Sequence, residues 1–217
     1  MIDMFQPFQV DDTESKVHWQ ITPLFPKPIS ISFVKEEACK TLKEQADKIN
    51  WFYDTPDSGA INNGVSADKY ILDSDEELKE YLLNFCASGL GMLGYTNEIQ
   101  MTTSWFTVTN ENGMSRPHKH TNSWYSGVLY FDDYDDTSSL IHFSQELQQI
   151  HVEPTTHNYM NSSAFRVHPM TGMLLLFPSE TMHQVLHGLN TSDRRSLAFN
   201  IMPKGQTGNA DSTYFYQ

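Results

Sequence analysis

Two histidines two residues apart, His118 and His120, stand in the segment Arg116-Pro117-His118-Lys119-His120, just ahead of a stretch with strand character. In an extended chain residues i and i+2 project to the same side, so both imidazoles can reach one metal ion. Imidazole is a ligand for iron, zinc, copper and nickel, so the pair alone does not choose the metal. A third histidine, His183, opens a later candidate strand after Phe177-Pro178-Ser179. Neighbouring strands of a small barrel can bring it to the pair; the bland alternative is a strand-end histidine satisfied by a backbone carbonyl. His187 would share that face but sit farther from the site. His18, His142, His151, His157 and His168 have no partner at ligand spacing and read as surface or core residues.

A second chemical element is Arg194-Arg195-Ser196. A buried guanidinium is a planar fork that holds a carboxylate through two hydrogen bonds. In a strand Arg194 and Ser196 face one way, so both can grip one carboxylate. Arg195 falls on the opposite face with Leu197 and Phe199 and reads as a solvent-side or salt-bridging residue. Two arginines at a turn are ordinarily a solvated charge cluster; behind a strand that carries a histidine, they become a candidate anchor for a dicarboxylate.

The elements that must position these groups follow from periodicity. Residues 1–16 are polar and acidic and read as an arm or an edge strand. Pro23, Pro26 and Pro28 keep Val17–Val34 extended, at a sheet edge. Within it Ile29, Ile31 and Phe33 alternate with Ser30 and Ser32, the pattern of a half-buried strand. Ala38, Leu42, Ala46 and Ile49 recur at helical spacing across Lys35–Asn50. A loop is expected through Pro56, Gly59, Asn62, Asn63 and Gly64. A second helix is expected from Ser74, capped by Ser74 and Glu77, with Leu78, Tyr81, Leu82 and Phe85 on its apolar face and an end among Gly89, Gly91 and Gly94. From Glu98 the character is β: Ile99–Asn110, Ser123–Phe131, Met173–Phe177, His183–Gly188 and Ser196–Met202, with weaker candidates at Ser139–Phe143, Gln149–Val152 and Ala164–Val167. The acidic run Asp132–Asp136 reads as a hairpin turn and lacks EF-hand spacing. Many short strands after two helices predict a mainly β sandwich or small barrel with helices outside.

Bulk properties narrow the partners. The 217 residues carry 14 basic and 27 acidic side chains, a formal charge of −13, which disfavours nucleic acid and anionic membrane as partners. Cys39 and Cys86 lie in helical stretches and read as lone buried thiols of a reducing compartment. The start, MIDMFQPFQVDD, has no basic segment followed by an apolar run, and the longest strongly apolar run is Met173–Phe177; a soluble, cytoplasmic protein is the expectation. The expected organisation is an arm over 1–16 and one domain over 17–217. Within that domain 17–97 is a support, 98–203 the β core and 204–217 a tail.

The order His-x-acid, distant His, Arg-x-Ser resembles the 2-oxoglutarate/Fe(II) oxygenases. Closer still is the resemblance to an uncharacterised branch found in marine bacteria and phages. It rests on Leu24-Phe25-Pro26-x-Pro28-Ile29, the strand from Trp105 to Asn110, His118-x-His120-x-Asn122-Ser123, Ser126-Gly127-Val128-x-Tyr130, Phe177-Pro178-Ser179 with His183, and Arg194-x-Ser196-x-x-Phe199-Asn200. The resemblance implies a double-stranded β-helix (a jelly-roll, cupin-like barrel) with Fe(II) as cofactor and 2-oxoglutarate as co-substrate. It further implies a hydroxylase that couples decarboxylation to succinate with oxidation of a small-molecule or peptidyl substrate. His118, His120 and His183 would be the metal ligands, Arg194 and Ser196 the carboxylate anchor, and Tyr130 a further hydrogen-bond donor. Trp105, Phe106 and the strand Ser126–Tyr130 would line the cavity. The departure is at His120, where the usual two-histidine, one-carboxylate set has its acid. A register shifted by two would put Asn122 there, and Asp132, Asp133 or Glu180 are other candidate carboxylates. A three-histidine site is the favoured reading.

Two rivals stand beside it. A cupin-type dioxygenase, isomerase or ligand-binding protein would use the same histidines without 2-oxoglutarate, but it wants a Glu shortly after the pair, and residues 121–127 hold none. A non-enzymatic β-sandwich module is the other. Oligomeric state is not legible in the sequence.

Overall fold

Strand patterning with a period of two, inward for the cavity and outward for the helices, decides the architecture. The computed structural model describes residues 8–11, 18–21, 25–53, 59–145 and 152–216. In chain order its elements are β1 (Phe8–Asp11), β2 (His18–Ile21), β3 (Ser30–Phe33), α1 (Glu36–Ala46), β4 (Trp51–Tyr53), β5 (Ile61–Ser66), α2 (Glu76–Met92), β6 (Ile99–Met114), β7 (Tyr125–Leu129), β8 (Ile141–Ser144), β9 (Ala164–Val167), β10 (Met173–Pro178), β11 (Met182–Val185), β12 (Arg194–Pro203), β13 (Gly205–Thr207) and β14 (Tyr214–Tyr216). The main sheet has seven antiparallel strands in the order β3-β10-β7-β12-β6-β5-β4, and a three-stranded sheet runs β11-β8-β9. β1 pairs with β2 and β13 with β14 as separate ribbons.

The main sheet buries both faces. On one, Phe106, Leu129, Leu174, Leu176, Leu197, Phe199 and Ile201 pack against Leu42 of α1 and Leu82 and Leu90 of α2. On the other, Val128, Tyr130, Leu175 and Phe177 meet Ile141 and Phe143 of the small sheet. Neighbouring residues such as Leu174 and Leu175 therefore belong to different cores, as a pleated strand requires. Arg195, on the helix side, ties α1 to the sheet: its Nε and Nη2 donate to Asp132 at 2.6 and 2.9 Å and its Nη1 to Asp47 at 2.6 Å.

Several expectations need correction. Asn62, Asn63 and Gly64 belong to β5 rather than to a loop, and Trp51–Tyr53 forms β4; both extend the main sheet. Asn62 takes a left-handed φ of 44°, and the register between β5 and β6 slips beside it, so turn-like residues here mark an irregular strand. The second helix is capped by Asp75, whose carboxylate accepts from Leu78 N at 3.1 Å; Ser74 ends a preceding 3-10 turn instead. The helix runs through Gly89 and Gly91 to Met92. Asp132–Asp136 is no hairpin: β7 and β8 lie in different sheets, so the run is a crossover between them. β3 forms at the sheet edge as expected, but Ile31 and Phe33 are exposed rather than half-buried. Phe106 points to the helix-side core, not the cavity. Residues 1–7, 12–16 and 149–151 of the expected arm and strand lie outside the described residues.

Between β7 and β12, Gly127 pairs with Phe199. A Cβ on Gly127 would lie 2.2 Å from the Phe199 ring, which is fully buried. Gly127→Ala is expected to destabilise the fold by about 1–3 kcal/mol through overpacking. The thermal midpoint should fall by several degrees; an unchanged midpoint would mean that the two strands yield there.

Candidate metal centre and its pocket

The segment after β6 leaves the main sheet and is stitched to β11. Ser115 N donates to Val185 O at 3.1 Å and Ser115 Oγ accepts from Val185 N at 2.7 Å. His118 and His183 exchange both backbone bonds, each 2.9 Å, and His120 N donates to Ser179 O at 2.9 Å. His118 is thus placed opposite His183 as a bridge partner, and the extended chain brings His120 to the same side. The ring centroids lie 4.3 Å (118–183), 5.2 Å (120–183) and 5.3 Å (118–120) apart. One nitrogen from each ring lies within 4.8 Å of the others, a spacing open to a single ion.

Two rings have their orientation set by the backbone. His118 Nδ1–H donates to Arg116 O and His183 Nδ1–H to Thr181 O, both at 2.9 Å. That tautomer leaves Nε2 as the free lone pair. Burial, then the neighbouring His118, pushes His183 down to about 3 and His120 down to about 4. Both are therefore neutral at pH 7, the protonation state a metal requires.

Among the described residues no carboxylate joins this group. Asp132 is held by Arg195, Asp133 by Lys43 at 2.8 Å, and exposed Glu180 lies 3.8 Å from Lys27. Asn122 takes a left-handed φ of 54° and does not line the cavity that His118, His120 and His183 line.

The three histidines sit at one end of a cavity of about 340 Å³, which Trp105, Val128, Ile141 and Phe177 also line. Arg194, only 2% exposed, lines the cavity away from them: it lies four residues along β12 from Ala198, the register partner of Trp105, which flanks the His120 ring. Arg194 Nε donates to Ser139 O at 2.7 Å and its Nη2 to the Tyr130 hydroxyl at 3.1 Å. Burial holds the Tyr130 phenol above its ordinary pKa, so it keeps its proton. Ser196 Oγ lies 2.8 Å from Thr107 Oγ1, and both residues line the cavity. Arg194 is therefore the inward arginine and Arg195 the outward one.

Three further residues were not singled out from the sequence. Thr107 pairs with Ser196 across β6 and β12; its place two residues from Trp105 was the available signal. Ser139 presents its carbonyl to Arg194, and Asn190 holds Ser139 by accepting from its N–H at 2.8 Å and donating to its Oγ at 2.7 Å. Gly188 passes so near that a Cβ would lie 2.4 Å from Ser139 Oγ. No local pattern announces either contact.

Residues 103–200 match the family model described as "Putative 2OG-Fe(II) oxygenase". None of the curated proteins matches the chain significantly. Among solved structures, a Pseudomonas putida prolyl-4-hydroxylase is similar at 18% identity and a TM-score of 0.52, over 82% of this chain and 94% of that one. HygX from Streptomyces hygroscopicus, with nickel and 2-oxoglutarate bound, has 10% identity and a TM-score of 0.56 over 82% and 83%. The non-heme α-ketoglutarate-dependent carbocyclase SnoK from nogalamycin biosynthesis has 9% identity and a TM-score of 0.60 over 88% and 82%. The shared architecture is the double-stranded β-helix expected from the sequence.

The lowered histidine pKa values carry a stability consequence. An unfolded histidine protonates near 6.5, so the folded form's preference for neutral His183 and His120 is unopposed above that pH. As pH falls from 6.5 toward 3 the unfolded chain binds protons that the folded chain refuses, and stability drops. For the metal-free protein the slope is up to ~1.4 kcal/mol per pH unit per histidine. Urea denaturation at pH 7.5 and pH 5 should show this loss, and His183→Gln should show a smaller one. An equal loss in both would mean that His183 is not held neutral.

Proposed function

Because residues 103–200 match the oxygenase family model, we propose that the chain is a 2-oxoglutarate/Fe(II) oxygenase and assign the side chains that do the work. The chain is an Fe(II)- and 2-oxoglutarate-dependent dioxygenase. The observation that carries the assignment of roles is the two-ended cavity, with three imidazoles at one end and a buried guanidinium at the other. A bifunctional acid that chelates a metal and extends a second carboxylate fits those two ends.

His118, His120 and His183 would hold Fe(II); three neutral nitrogens suit a divalent first-row ion and leave open positions. Bound iron supplies the oxygen activation that couples decarboxylation of 2-oxoglutarate to succinate with oxidation of the substrate. Arg194 binds the distal carboxylate by a charge-assisted hydrogen bond. Ser196, Thr107 and the protonated Tyr130 offer hydroxyls beside it. Val128, Ile141 and Phe177 exclude water between the two ends, which strengthens every electrostatic contact inside. The cupin-type alternative supplies no anion for the buried charge of Arg194, whose two hydrogen-bond partners here, Ser139 O and the Tyr130 hydroxyl, are both neutral.

The substrate class is a small molecule or a peptidyl residue, and hydroxylation is the expected outcome. Two of the similar structures, a prolyl-4-hydroxylase and a carbocyclase of nogalamycin biosynthesis, fall on either side of that division. The charge of −13 argues against a nucleic-acid substrate. No helix among the described residues is long and apolar enough to cross a membrane.

An anaerobic absorption spectrum of the Fe(II)-loaded protein tests the assignment. Adding 2-oxoglutarate should produce a visible charge-transfer band. Arg194→Ala should keep iron while weakening 2-oxoglutarate by about 10–100-fold, as loss of a charged hydrogen bond implies. Tight iron binding by His183→Ala, or no band in the wild-type protein, would overturn it.

A further inference from the structure

We infer that Asn200 is a positioning residue for the third imidazole: its side-chain amide fixes the orientation and tautomer of His120. The inference rests on the ligand set proposed above and adds a residue to it.

The three rings are not held alike. His118 and His183 are each pinned by a backbone carbonyl two residues before them in the chain. Among the described residues no backbone carbonyl is bonded to the His120 ring in this way. The group offered to it is the side-chain amide of Asn200, on β12, which a chain of hydrogen bonds through Ser126 and Ser179 links to the His120 backbone. That amide is itself oriented from both sides. Asn200 Nδ2 donates to Thr103 Oγ1 at 3.0 Å, and Asn200 Oδ1 accepts from Ser126 Oγ at 2.7 Å. The oxygen is therefore the atom available to an imidazole N–H, and it has a second lone pair to offer. Thr103, Asn200 and Ser126 are register partners across β6, β12 and β7, so the amide sits on three hydrogen-bonded strands.

The same network also reaches the His120 backbone. Ser126 Oγ lies 2.8 Å from Ser179 Oγ, and the Ser179 carbonyl accepts the His120 N–H at 2.9 Å. Ser126 and Ser179 are each only 1% exposed, so water does not compete for these bonds. Trp105 flanks the ring, with centroids 5.7 Å apart and planes 26° from parallel. Backbone, ring edge and ring face of His120 are thus fixed by one connected set. An N–H held on Asn200 Oδ1 leaves the other ring nitrogen unprotonated and makes it a better donor.

β12 also carries Arg194, Ser196 and Ala198 at two-residue steps on the cavity side, so one strand sets both ends of the cavity.

The test uses cobalt(II)-substituted protein and its hyperfine-shifted imidazole N–H proton resonances, together with iron affinity. The wild-type protein should show one solvent-exchangeable resonance for each ligand. Asn200→Ala should lose the His120 resonance to rapid exchange and bind Fe(II) about 10–100-fold more weakly. Asn200→Asp, which keeps the accepting oxygen, should restore the resonance, an outcome that general loss of packing would not give. Retention of every resonance with unchanged iron affinity in Asn200→Ala would overturn the role of Asn200. Absence of any shifted resonance in the wild-type protein would overturn the ligand set itself, and this inference with it.

Discussion

The reciprocal backbone pair between His118 and His183 is the constraint on which the rest of the structure depends. It joins the segment leaving the large sheet to β11 of the small one, so it fixes two residues of the cavity lining and the distance between two candidate ligands at once. Both histidines are held through main-chain groups, which cannot be lost by side-chain rotation. The rings then need only one further contact each to be fully oriented, and carbonyls of Arg116 and Thr181 supply it. A site made in this way is as rigid as the sheets that frame it.

The large sheet has to serve two environments, and adjacent arginines on β12 show how it does so. Arg194 faces the cavity, buried beside Tyr130 and the Ser139 carbonyl. Arg195 faces the helices and is paired with Asp132 and Asp47. Identical side chains one residue apart thereby have unrelated duties, because the pleat sends them to opposite faces. The neighbouring strands repeat the division, with Trp105 toward the cavity and Phe106 in the helix-side core.

Much of this was legible before any coordinates. The i, i+2 spacing of His118 and His120 and of Arg194 and Ser196 is a local property of extended chain, and it held. Both helices and most strands of the β core were visible from periodicity. Less visible were features set by contacts distant in sequence. β5 is an irregular strand whose Asn-Asn-Gly run imitates a turn, and its pairing with β6 and β4 keeps it extended. Asp132 reads in the sequence as part of a hairpin turn, yet it is buried against Arg195, a partner 63 positions away. The Asn190 support of Ser139 spans 51 positions. Residue type cannot announce a hydrogen bond whose partner the fold alone brings near.

The grip on Arg194 has a consequence for how affinity is distributed between folding and binding. An arginine side chain carries about 2 kcal/mol of rotamer entropy, and here two protein acceptors have already removed it. A carboxylate arriving in the cavity meets a guanidinium with nothing left to order, so its binding is less opposed by conformational loss. The disorder was surrendered when the chain folded. By linkage, a ligand held there returns stability to the folded state in proportion to the logarithm of its concentration. Co-substrate supply would then govern the lifetime of the protein as well as its turnover.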